Sequence, residues 1–269
     1  MKLLRKLRVL WARRQDLKRF DYIPDISSHP VIVSLTTVPS RIAHLKPTLL
    51  SLLRQSHRPL QIEINLGAFS QAWEIPRWLS ALTAVKLFWI TPDLGPATKW
   101  IPSLRRYPGQ DILWVIVDDD MIYPRHLIRC LLAADQVFSG NAAFCVNGHL
   151  LPSHLVFFDH PSNRAIKRGR RRVAIMEGCG GYTLRARHFG SDLGILTEMR
   201  GAPEGALRQD DIWVSGLLSR CNVPKYQIPV GKRHSLPQAD HPALQGPRAE
   251  VSNTLLHYFK EEWKPEEIV

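Results

Sequence analysis

Three adjacent aspartates follow an apolar run in the segment ILWVIVDDDMIYP, from Ile112 to Pro124. In an extended segment alternate side chains share a face, so Asp118 and Asp120 can point to one site while Asp119 points elsewhere. Paired carboxylates at a strand end suit a hard divalent cation, Mg²⁺ or Mn²⁺, which keeps positions open for water and phosphate. Three solvated acids in a turn are the alternative. Because the preceding strand is so apolar, we favour the cation.

A second acidic pair, Asp210 and Asp211, stands in the segment QDDIWVSG at the start of a predicted helix. A carboxylate there could take a proton from an alcohol and so act as a general base. The helix dipole stabilises a carboxylate at this end and lowers its basicity, so burial or the neighbouring acid would have to offset it. The alternative is an N-cap with an acidic first turn, which explains one aspartate well.

The first half of the chain alternates predicted strands with predicted helices. The apolar runs predict strands over residues 31–37, 62–67, 85–90 and 112–117. They predict helices over residues 45–56 and 124–138, and a short helix over residues 97–107 that breaks near Pro102. Alternating elements with continuous apolar strands favour an α/β fold with a mostly parallel sheet covered by helices on both faces. Open sheets of this kind bind ligands at the carboxyl ends of their strands, where the three aspartates lie.

The second half is less regular. We predict strands over residues 142–151, 172–177 and 225–230, and a helix over residues 210–221. The segment GCGGYTLRARHF carries three glycines between Gly178 and Gly181. These patterns predict one domain over residues 29–235, preceded by a basic extension over residues 1–28 and followed by a tail over residues 236–269.

Composition limits the class of protein. A chain of 269 residues with 45% apolar residues can bury a large core and is not a disordered protein. No apolar run approaches the roughly 20 residues needed to span a bilayer, and the N-terminus lacks the apolar core of a cleaved signal peptide. Four dispersed cysteines without a CxxC pair predict reduced thiols and a cytoplasmic location.

The net charge of +12 is concentrated in two segments. Residues 1–20 carry eight basic residues and one acid, and residues 163–172 carry six basic residues and no acid. In the first segment, apolar residues recur at helical spacing: Leu3, Leu4, Leu7, Leu10 and Trp11. This pattern predicts a helix that lies on an anionic membrane surface, peripheral at the inner face of the membrane. An ordinary helix docked on its own domain is the alternative.

The second basic segment has no apolar periodicity. It is either a loop near an anionic ligand or a solvated loop, and the sequence does not choose between them. No aromatic residue interleaves it and no nucleic-acid motif accompanies it, so we expect no nucleic-acid partner.

Four motifs in order resemble those of nucleotide-sugar glycosyltransferases with the GT-A fold, of the family-2-like type that makes bacterial polysaccharide, capsule or lipopolysaccharide. WVIVDDDMIYP resembles the DxD region, and VIVSLTTVPSRI resembles the first strand with its nucleotide-binding loop. LGPATKWIPSL resembles a Gly-Pro-x-Thr-Lys segment that precedes the DxD strand in some members. GCGGYTLRARHF followed by QDDIWVSG resembles the glycine-rich acceptor loop and the xED motif, with Asp210 in the usual Glu position.

The resemblance implies a role for each motif residue. Asp118 and Asp120 would hold Mn²⁺ or Mg²⁺, Asp119 would bond the ribose or sugar, and Asp211 would be the base. The residues implied in donor binding are Thr36, Thr37, Arg41, Lys99, Asp118, Asp119, Gly180 and Gly181. A solvated lysine and a plain turn are the alternatives for Lys99 and for the two glycines. A third metal ligand is expected from a C-terminal histidine, because imidazole can ligate Mn²⁺. His234 is the preferred candidate and His241 is the second.

These features predict a metal-dependent hexosyl- or hexosaminyltransferase that uses a nucleotide-sugar as donor. We expect the donor to be a UDP-sugar. The acceptor would be a glycan or a lipid-linked molecule, and a base at Asp211 implies inversion, although retaining enzymes also carry DDD. A metal-dependent phosphoesterase is a rival function, but it would need a further set of His and Asp ligands for a second metal ion beside the first. A non-catalytic basic module that binds membrane or nucleic acid is another, and it leaves both acidic motifs unexplained.

Overall fold

The computed structural model describes residues 2–23, 29–68, 73–157, 166–231, 234–235 and 248–269. The helices are α1 (Lys2–Arg14), α2 (Lys46–Leu53), α3 (Arg77–Ser80), α4 (Ile101–Arg106), α5 (Leu127–Val137), α6 (Asp210–Arg220) and α7 (Arg248–Tyr258). The strands are β1 (Val31–Thr37), β2 (Gln61–Gly67), β3 (Val85–Ile90), β4 (Leu113–Ile116), β5 (Met121–Ile122), β6 (Ala143–Cys145), β7 (Gly148–His149), β8 (Arg171–Arg172), β9 (Ile175–Met176), β10 (Tyr182–Leu184), β11 (Lys225–Gln227) and β12 (His234–Ser235). None of the described helices has the length and hydropathy to cross a bilayer.

Eight strands form the central sheet in the order β3-β2-β1-β4-β10-β6-β11-β8. The first four are parallel to one another. Strand β10 is antiparallel to both of its neighbours, and β8 is antiparallel to β11, so these two run against the other six. The predicted α/β fold with a mostly parallel sheet is confirmed.

Alternate residues of the buried strands enter two separate cores. In β4, Leu113 and Val115 face one core while Trp114 and Ile116 face the other, and all four are buried. Because helices cover both faces of the sheet, such a strand is apolar on both sides and appears in the sequence as a continuous apolar run. This explains why the parallel half of the sheet could be located from the sequence.

The two ends of the chain pack on opposite faces of the sheet. Helix α1 joins the first core through Ala12, while Leu255 and Phe259 in the last segment belong to the second core. The Phe259 ring lies so close to α6 that a Cβ on Gly216 would sit 2.3 Å from it. The division at residues 28 and 235 stays a prediction, although the last segment contributes directly to the core.

The structure differs from the sequence prediction mainly in the second half. The segment 142–151 forms two short strands, β6 and β7, which belong to different sheets, and 172–177 divides in the same way. Strand β10 was not predicted, because its three residues follow a glycine cluster and show too little periodicity to be recognised. The segment 97–107 is interrupted, as predicted, but the break lies at Trp100, between a 3₁₀ turn and α4, and Pro102 is tolerated in the first turn of α4.

Candidate active site

The carboxyl ends of β1 and β4 meet at one edge of the sheet. The two strands are parallel neighbours with Ser34 opposite Ile116, so Thr37 and the aspartates after β4 are brought together. Asp119 accepts hydrogen bonds from Thr37 Oγ1 at 2.6 Å and from Arg41 Nη1 at 2.7 Å. The loop after β1 and the acidic loop after β4 are therefore held as one unit.

Asp119 is the most enclosed of the three acidic side chains in this loop. Burial raises its pKa, while Arg41 and the Thr37 hydroxyl oppose that change. Its backbone carbonyl also accepts a hydrogen bond from Thr48 at the start of α2, at 2.8 Å. Thr36 points away from this cluster, because its hydroxyl donates to the carbonyl of Asn65 in β2. Of the two threonines implied in donor binding, the structure brings Thr37 to the aspartates.

Lys99 joins the two acidic motifs. Its ammonium lies 2.9 Å from Asp118 Oδ1, 2.9 Å from Asp210 Oδ2 and 3.6 Å from Asp211 Oδ1. Only 5% of the Lys99 side chain is exposed, so the pairing occurs in a desolvated environment. Burial opposes the charged form, but the surrounding carboxylates outweigh it and hold the pKa of Lys99 well above its usual value. One cation therefore balances acids from two distant parts of the chain.

The neighbouring acids Asp210 and Asp211 lie in different surroundings. The Asp210 side chain is 8% exposed and pairs with Lys99, whereas the Asp211 side chain is 33% exposed. Both Asp211 oxygens face the backbone N–H of Gly178, at 3.2 and 3.1 Å. Burial raises the pKa of both carboxyls, and Lys99 opposes it. The Asp118 carboxylate raises the pKa of both, and Asp210 also raises the pKa of Asp211. Asp211 is the more accessible proton acceptor.

The glycine-rich segment closes over the ion-paired cluster. A Cβ on Gly178 would lie 2.6 Å from Lys99 Nζ and 2.7 Å from Asp118 Oδ1, so only glycine fits between these groups. Gly181 has a φ of +85°, in the left-handed region that side chains avoid. The predicted residues Gly180 and Gly181 lie in this segment, but Gly178, which touches the cluster, was not among the predicted site residues. The glycine cluster in the sequence is the feature that could have identified Gly178.

Asp120 differs from its two neighbours in having no ion pair within the part of the chain that the structure describes. Burial raises its pKa, and the Asp118 and Asp119 carboxylates raise it further. The second oxygen of Asp118 also has no hydrogen bond to a described residue, because only Oδ1 contacts Lys99. Two hard oxygen donors that repel each other are the ligand type that a divalent cation takes.

The donor set fits a cation that is shared with a substrate. Within the described ranges, no three His, Cys, Asp or Glu side chains form a group that could hold a metal ion alone. Mg²⁺ is commonly held by one or two carboxylates together with substrate phosphates, and Asp118 with Asp120 matches that pattern. The metal role of these residues stays a prediction.

The histidines expected as a third ligand are only partly described. The backbone of His234 lies in β12 and pairs antiparallel with Ile122 in β5, which directly follows the acidic loop. Its side chain is outside the described part of the structure, and His241 lies outside the described residues altogether. The strand pairing places position 234 beside the acidic loop.

A buried polar network lies next to the ion-paired cluster of Lys99. Ser34 Oγ donates to the carbonyl of Lys99 at 2.6 Å, and Asn65 Nδ2 donates to Ser34 at 3.0 Å. Glu63, which is fully buried in β2, accepts from Ser103 at 2.7 Å and pairs with Arg106 of α4. These residues were not among the predicted site residues. They could have been identified in the sequence as polar residues within otherwise apolar strands. The network fixes the backbone that carries Lys99.

Comparison with known proteins supports the architecture. The chain matches no protein-family model and no curated protein sequence. The mannosyltransferase PcManGT from Pyrobaculum calidifontis, solved with GDP-Man and Mn²⁺, matches with a TM-score of 0.48 at 15% identity, over 97% of this chain and 83% of that chain. GalNAc-T7, solved with UDP, GalNAc and Mn²⁺, matches with a TM-score of 0.60 at 13% identity, over 87% of this chain.

The match covers 48% of the GalNAc-T7 chain, so the present chain spans about half the length of that protein. At 13% identity, the similarity concerns the fold. Together with the order of the strands, it shows that this chain has the GT-A fold found in glycosyltransferases.

Proposed function

We propose that the protein is a metal-dependent glycosyltransferase that moves a sugar from a nucleotide-sugar to an alcohol acceptor. The observation that carries the proposal is the convergence of two acidic motifs on Lys99, 2.9 Å from both Asp118 and Asp210, at the carboxyl edge of a GT-A sheet. In open α/β sheets this edge is where ligands bind. A donor held at Asp118 would thus lie beside Asp211, the accessible acid of the second motif.

Asp118 and Asp120 are the residues that would hold the metal ion, with position 234 beside them. A divalent cation bound there stabilises negative charge on a departing diphosphate as a Lewis acid. Arg41 and Thr37 fix Asp119 and so keep the acidic loop in one conformation. Roles for Thr36, Thr37, Arg41 and Asp119 in holding the nucleotide, and for Gly180 and Gly181 beside the sugar, are part of the proposal.

Asp211 is the proposed general base. Its side chain is one-third exposed, so an acceptor hydroxyl can reach it. Burial raises the pKa of this carboxyl, which makes it a stronger base than a solvated aspartate. This offsets the effect of its position at the start of α6, where the helix dipole favours the ionised form. Direct displacement with inversion at the sugar carbon follows from this assignment.

The finer features of the proposal rest on the resemblance of the motifs. UDP is the first nucleotide to test, and GalNAc-T7, which shares the fold, was solved with UDP and Mn²⁺. The donor would carry a hexose or hexosamine, and the acceptor would be a glycan or lipid-linked molecule of polysaccharide biosynthesis at the inner face of the membrane. Lys99 contacts carboxylates in this structure, so a direct contact with the diphosphate stays a prediction.

Calorimetric titration of UDP tests the proposal. UDP should bind the protein in the presence of Mn²⁺ and not in EDTA. Asp120→Asn removes one charge without changing the size of the side chain, and it should weaken metal-dependent UDP binding at least about tenfold, because even outer-shell changes at metal sites cost that much. Glu261→Gln is the matched control, since that exposed side chain lies far from the acidic loop in the sequence and contacts only Lys260 among described ion pairs.

Each other result has a defined meaning. Metal-dependent binding of GDP but not UDP would keep glycosyl transfer and change the donor. Absence of binding for every nucleotide tested, with hydrolysis of a phosphodiester substrate instead, would replace the proposal with the phosphoesterase function.

A further inference from the structure

Helix α1 has two apolar faces, and only one of them is covered. Val9 and Ala12 are 3% and 4% exposed, and α1 packs against α2. Leu7, Leu10 and Trp11, at i, i+3 and i+4, share the opposite face and remain 52%, 50% and 47% exposed. The helix therefore docks on its own domain and still presents an apolar strip to its surroundings.

Four arginines surround a cavity next to this helix. Arg19, Arg54, Arg58 and Arg125 line a space of about 270 Å³, and Phe20 and Leu53 form part of its wall. All four arginines are exposed at the surface. They come from the 3₁₀ turn after α1, from the segment that follows α2 and from the segment that precedes α5, so folding brings together basic residues that are separated in the sequence.

None of these arginines has an acidic partner among the described residues. Arg54 stacks on Trp11 and Phe20, at 5.3 and 5.2 Å from the ring centroids, and Arg58 stacks on Tyr22 at 5.1 Å.

The acids on the neighbouring segment are engaged elsewhere. Asp16 accepts from the Lys18 amide, and Asp21 accepts from the amides of Thr83 and Ala84. The four guanidinium groups around the cavity can therefore still bind an anion. A guanidinium group matches phosphate oxygens in shape and charge.

The cavity and the apolar strip form one continuous surface. Arg54 lines the cavity and also stacks on Trp11, which belongs to the exposed strip. The surface lies at the carboxyl end of α2, whereas Thr48 near the amino end of α2 contacts the acidic loop of the candidate active site. Six residues of helix separate these two points by about 9 Å. The cavity and the acidic loop therefore lie near opposite ends of α2.

We infer that this surface docks on an anionic phospholipid membrane, with a lipid phosphate in the arginine cavity and Leu7, Leu10 and Trp11 in the interfacial region. Apolar side chains on one face of a helix enter the headgroup boundary, and basic groups are attracted to the anionic leaflet. The arginine cavity adds a defined phosphate position to what would otherwise be a diffuse attraction. The basic residues of segment 1–20 add positive charge to the part of the chain that carries the apolar strip.

Vesicle flotation with the full chain tests the inference. The protein should float with phosphatidylglycerol–phosphatidylcholine vesicles and not with pure phosphatidylcholine vesicles. Arg58→Gln/Arg125→Gln should lower the apparent affinity at least about tenfold, since each arginine near an anionic surface contributes on the order of a fivefold change. Leu7→Gln/Leu10→Gln, which changes exposed side chains only, should lower it through the apolar strip. Circular dichroism melts confirm that both variants are folded.

Arg77→Gln/Lys86→Gln is the control for net charge. It removes two exposed basic groups outside the cavity and should bind vesicles as the unchanged protein does. Equal losses in this control and in Arg58→Gln/Arg125→Gln would overturn the cavity and leave only diffuse attraction. Binding to single-stranded RNA without binding to anionic vesicles would overturn the membrane as the partner. Binding of inorganic phosphate by the protein, lost in Arg58→Gln/Arg125→Gln, without binding to anionic vesicles would assign the cavity to free phosphate and overturn the lipid as its source.

Discussion

Asp210 and Asp211 are adjacent in the sequence, but the structure places their side chains in different surroundings. Asp210 is almost fully buried and pairs with Lys99, so it stabilises the cluster that joins the two motifs. Asp211 is more exposed, and its carboxylate accepts a hydrogen bond from the Gly178 amide. If Asp211 is the base, as proposed, and Asp210 stabilises the cluster, the two residues should respond differently to loss of charge.

Asp211→Asn should abolish most of the turnover while leaving the fold and donor binding intact. A general base contributes on the order of 10²- to 10⁴-fold in rate, so kcat should fall by at least about a hundredfold. The measurement is UDP release from a UDP-sugar with an acceptor identified by screening, alongside calorimetry of UDP with Mn²⁺. Unchanged kcat in Asp211→Asn would remove this residue from the role of base.

Asp210→Asn is the comparison variant for this prediction. It removes a partner from a buried ion pair and so should lower both turnover and the free energy of unfolding. A loss of stability in Asp211→Asn as large as that in Asp210→Asn would mean that both residues are structural.

The site could be predicted from the sequence only as separate motifs. The aspartates were located because acids directly after an apolar run are conspicuous, and their place at the carboxyl edge followed from the fold class. The contact between Lys99 and Asp210 has no local signal, because it depends on how the 3₁₀ turn before α4 meets the start of α6. For the same reason, Gly178 was visible as part of a glycine cluster but not as the residue that contacts Lys99.

At the scale of elements, the C-terminal segment is fastened by a buried ion pair. Glu267, in a 3₁₀ turn at the end of the chain, lies 2.8 Å from the ammonium of Lys225 in β11, and both side chains are fully buried. Ser219 of α6 donates to the other Glu267 oxygen at 2.7 Å. The backbone of Val269 also pairs with Leu151. The end of the chain is thereby joined to the sheet and to α6.

Glu267→Gln should destabilise the fold by about 3 kcal/mol, because it leaves the Lys225 ammonium buried without its counter-ion. Burial already lowers the pKa of Lys225 to about 8 against the opposing effect of Glu267, so desolvation is the larger influence here. Urea unfolding monitored by circular dichroism measures the change.

The double variant Lys225→Met/Glu267→Leu distinguishes the pair from its surroundings. It replaces the ion pair by apolar groups of similar volume and should restore stability to within about 1 kcal/mol of the starting protein. A double variant as unstable as Glu267→Gln would show that the hydrogen bonds of Ser219 and of the Lys264 amide, rather than the charge pair, hold the segment.

Among the strands, those of the parallel half of the sheet could best be predicted from the sequence. Strands β1, β2 and β3 have six or seven residues each, long enough for a pattern to be recognised. Strands β6 and β10 have three residues each and gain their conformation from their neighbours in the sheet, so the local sequence carries little signal.

On the scale of the whole molecule, stability should depend on pH through a histidine that folding keeps neutral. His188 is buried, its Nδ1 accepts from the Arg185 amide at 3.3 Å, and its Nε2 bonds the Gly140 carbonyl at 3.1 Å. Burial lowers the pKa of His188 to about 4, and the nearby Arg185 and Arg187 act in the same direction, while Asp135 opposes them. Protonation would place a second donor against the Arg185 amide.

The sign of the pH effect follows from this lowered pKa. In the unfolded chain the imidazole protonates near its ordinary pKa of about 6.5, whereas the folded protein resists protonation until about pH 4, so the unfolded state binds the extra proton between these values. The contribution of His188 is complete above pH 6.5 and falls by about 1.4 kcal/mol for each unit below it.

His188→Asn should reduce the stability of the protein at pH 7.5 and flatten its decline between pH 6.5 and 5, since asparagine can accept from the Arg185 amide but does not titrate. The difference between the two proteins in urea-unfolding free energy should shrink by about 2 kcal/mol over that interval, because a slope of about 1.4 kcal/mol per pH unit is lost. The exposed His257→Asn serves as the control and should keep the original slope. Parallel pH profiles for the His188 variant and the unchanged protein would show that acid destabilises this fold through other groups.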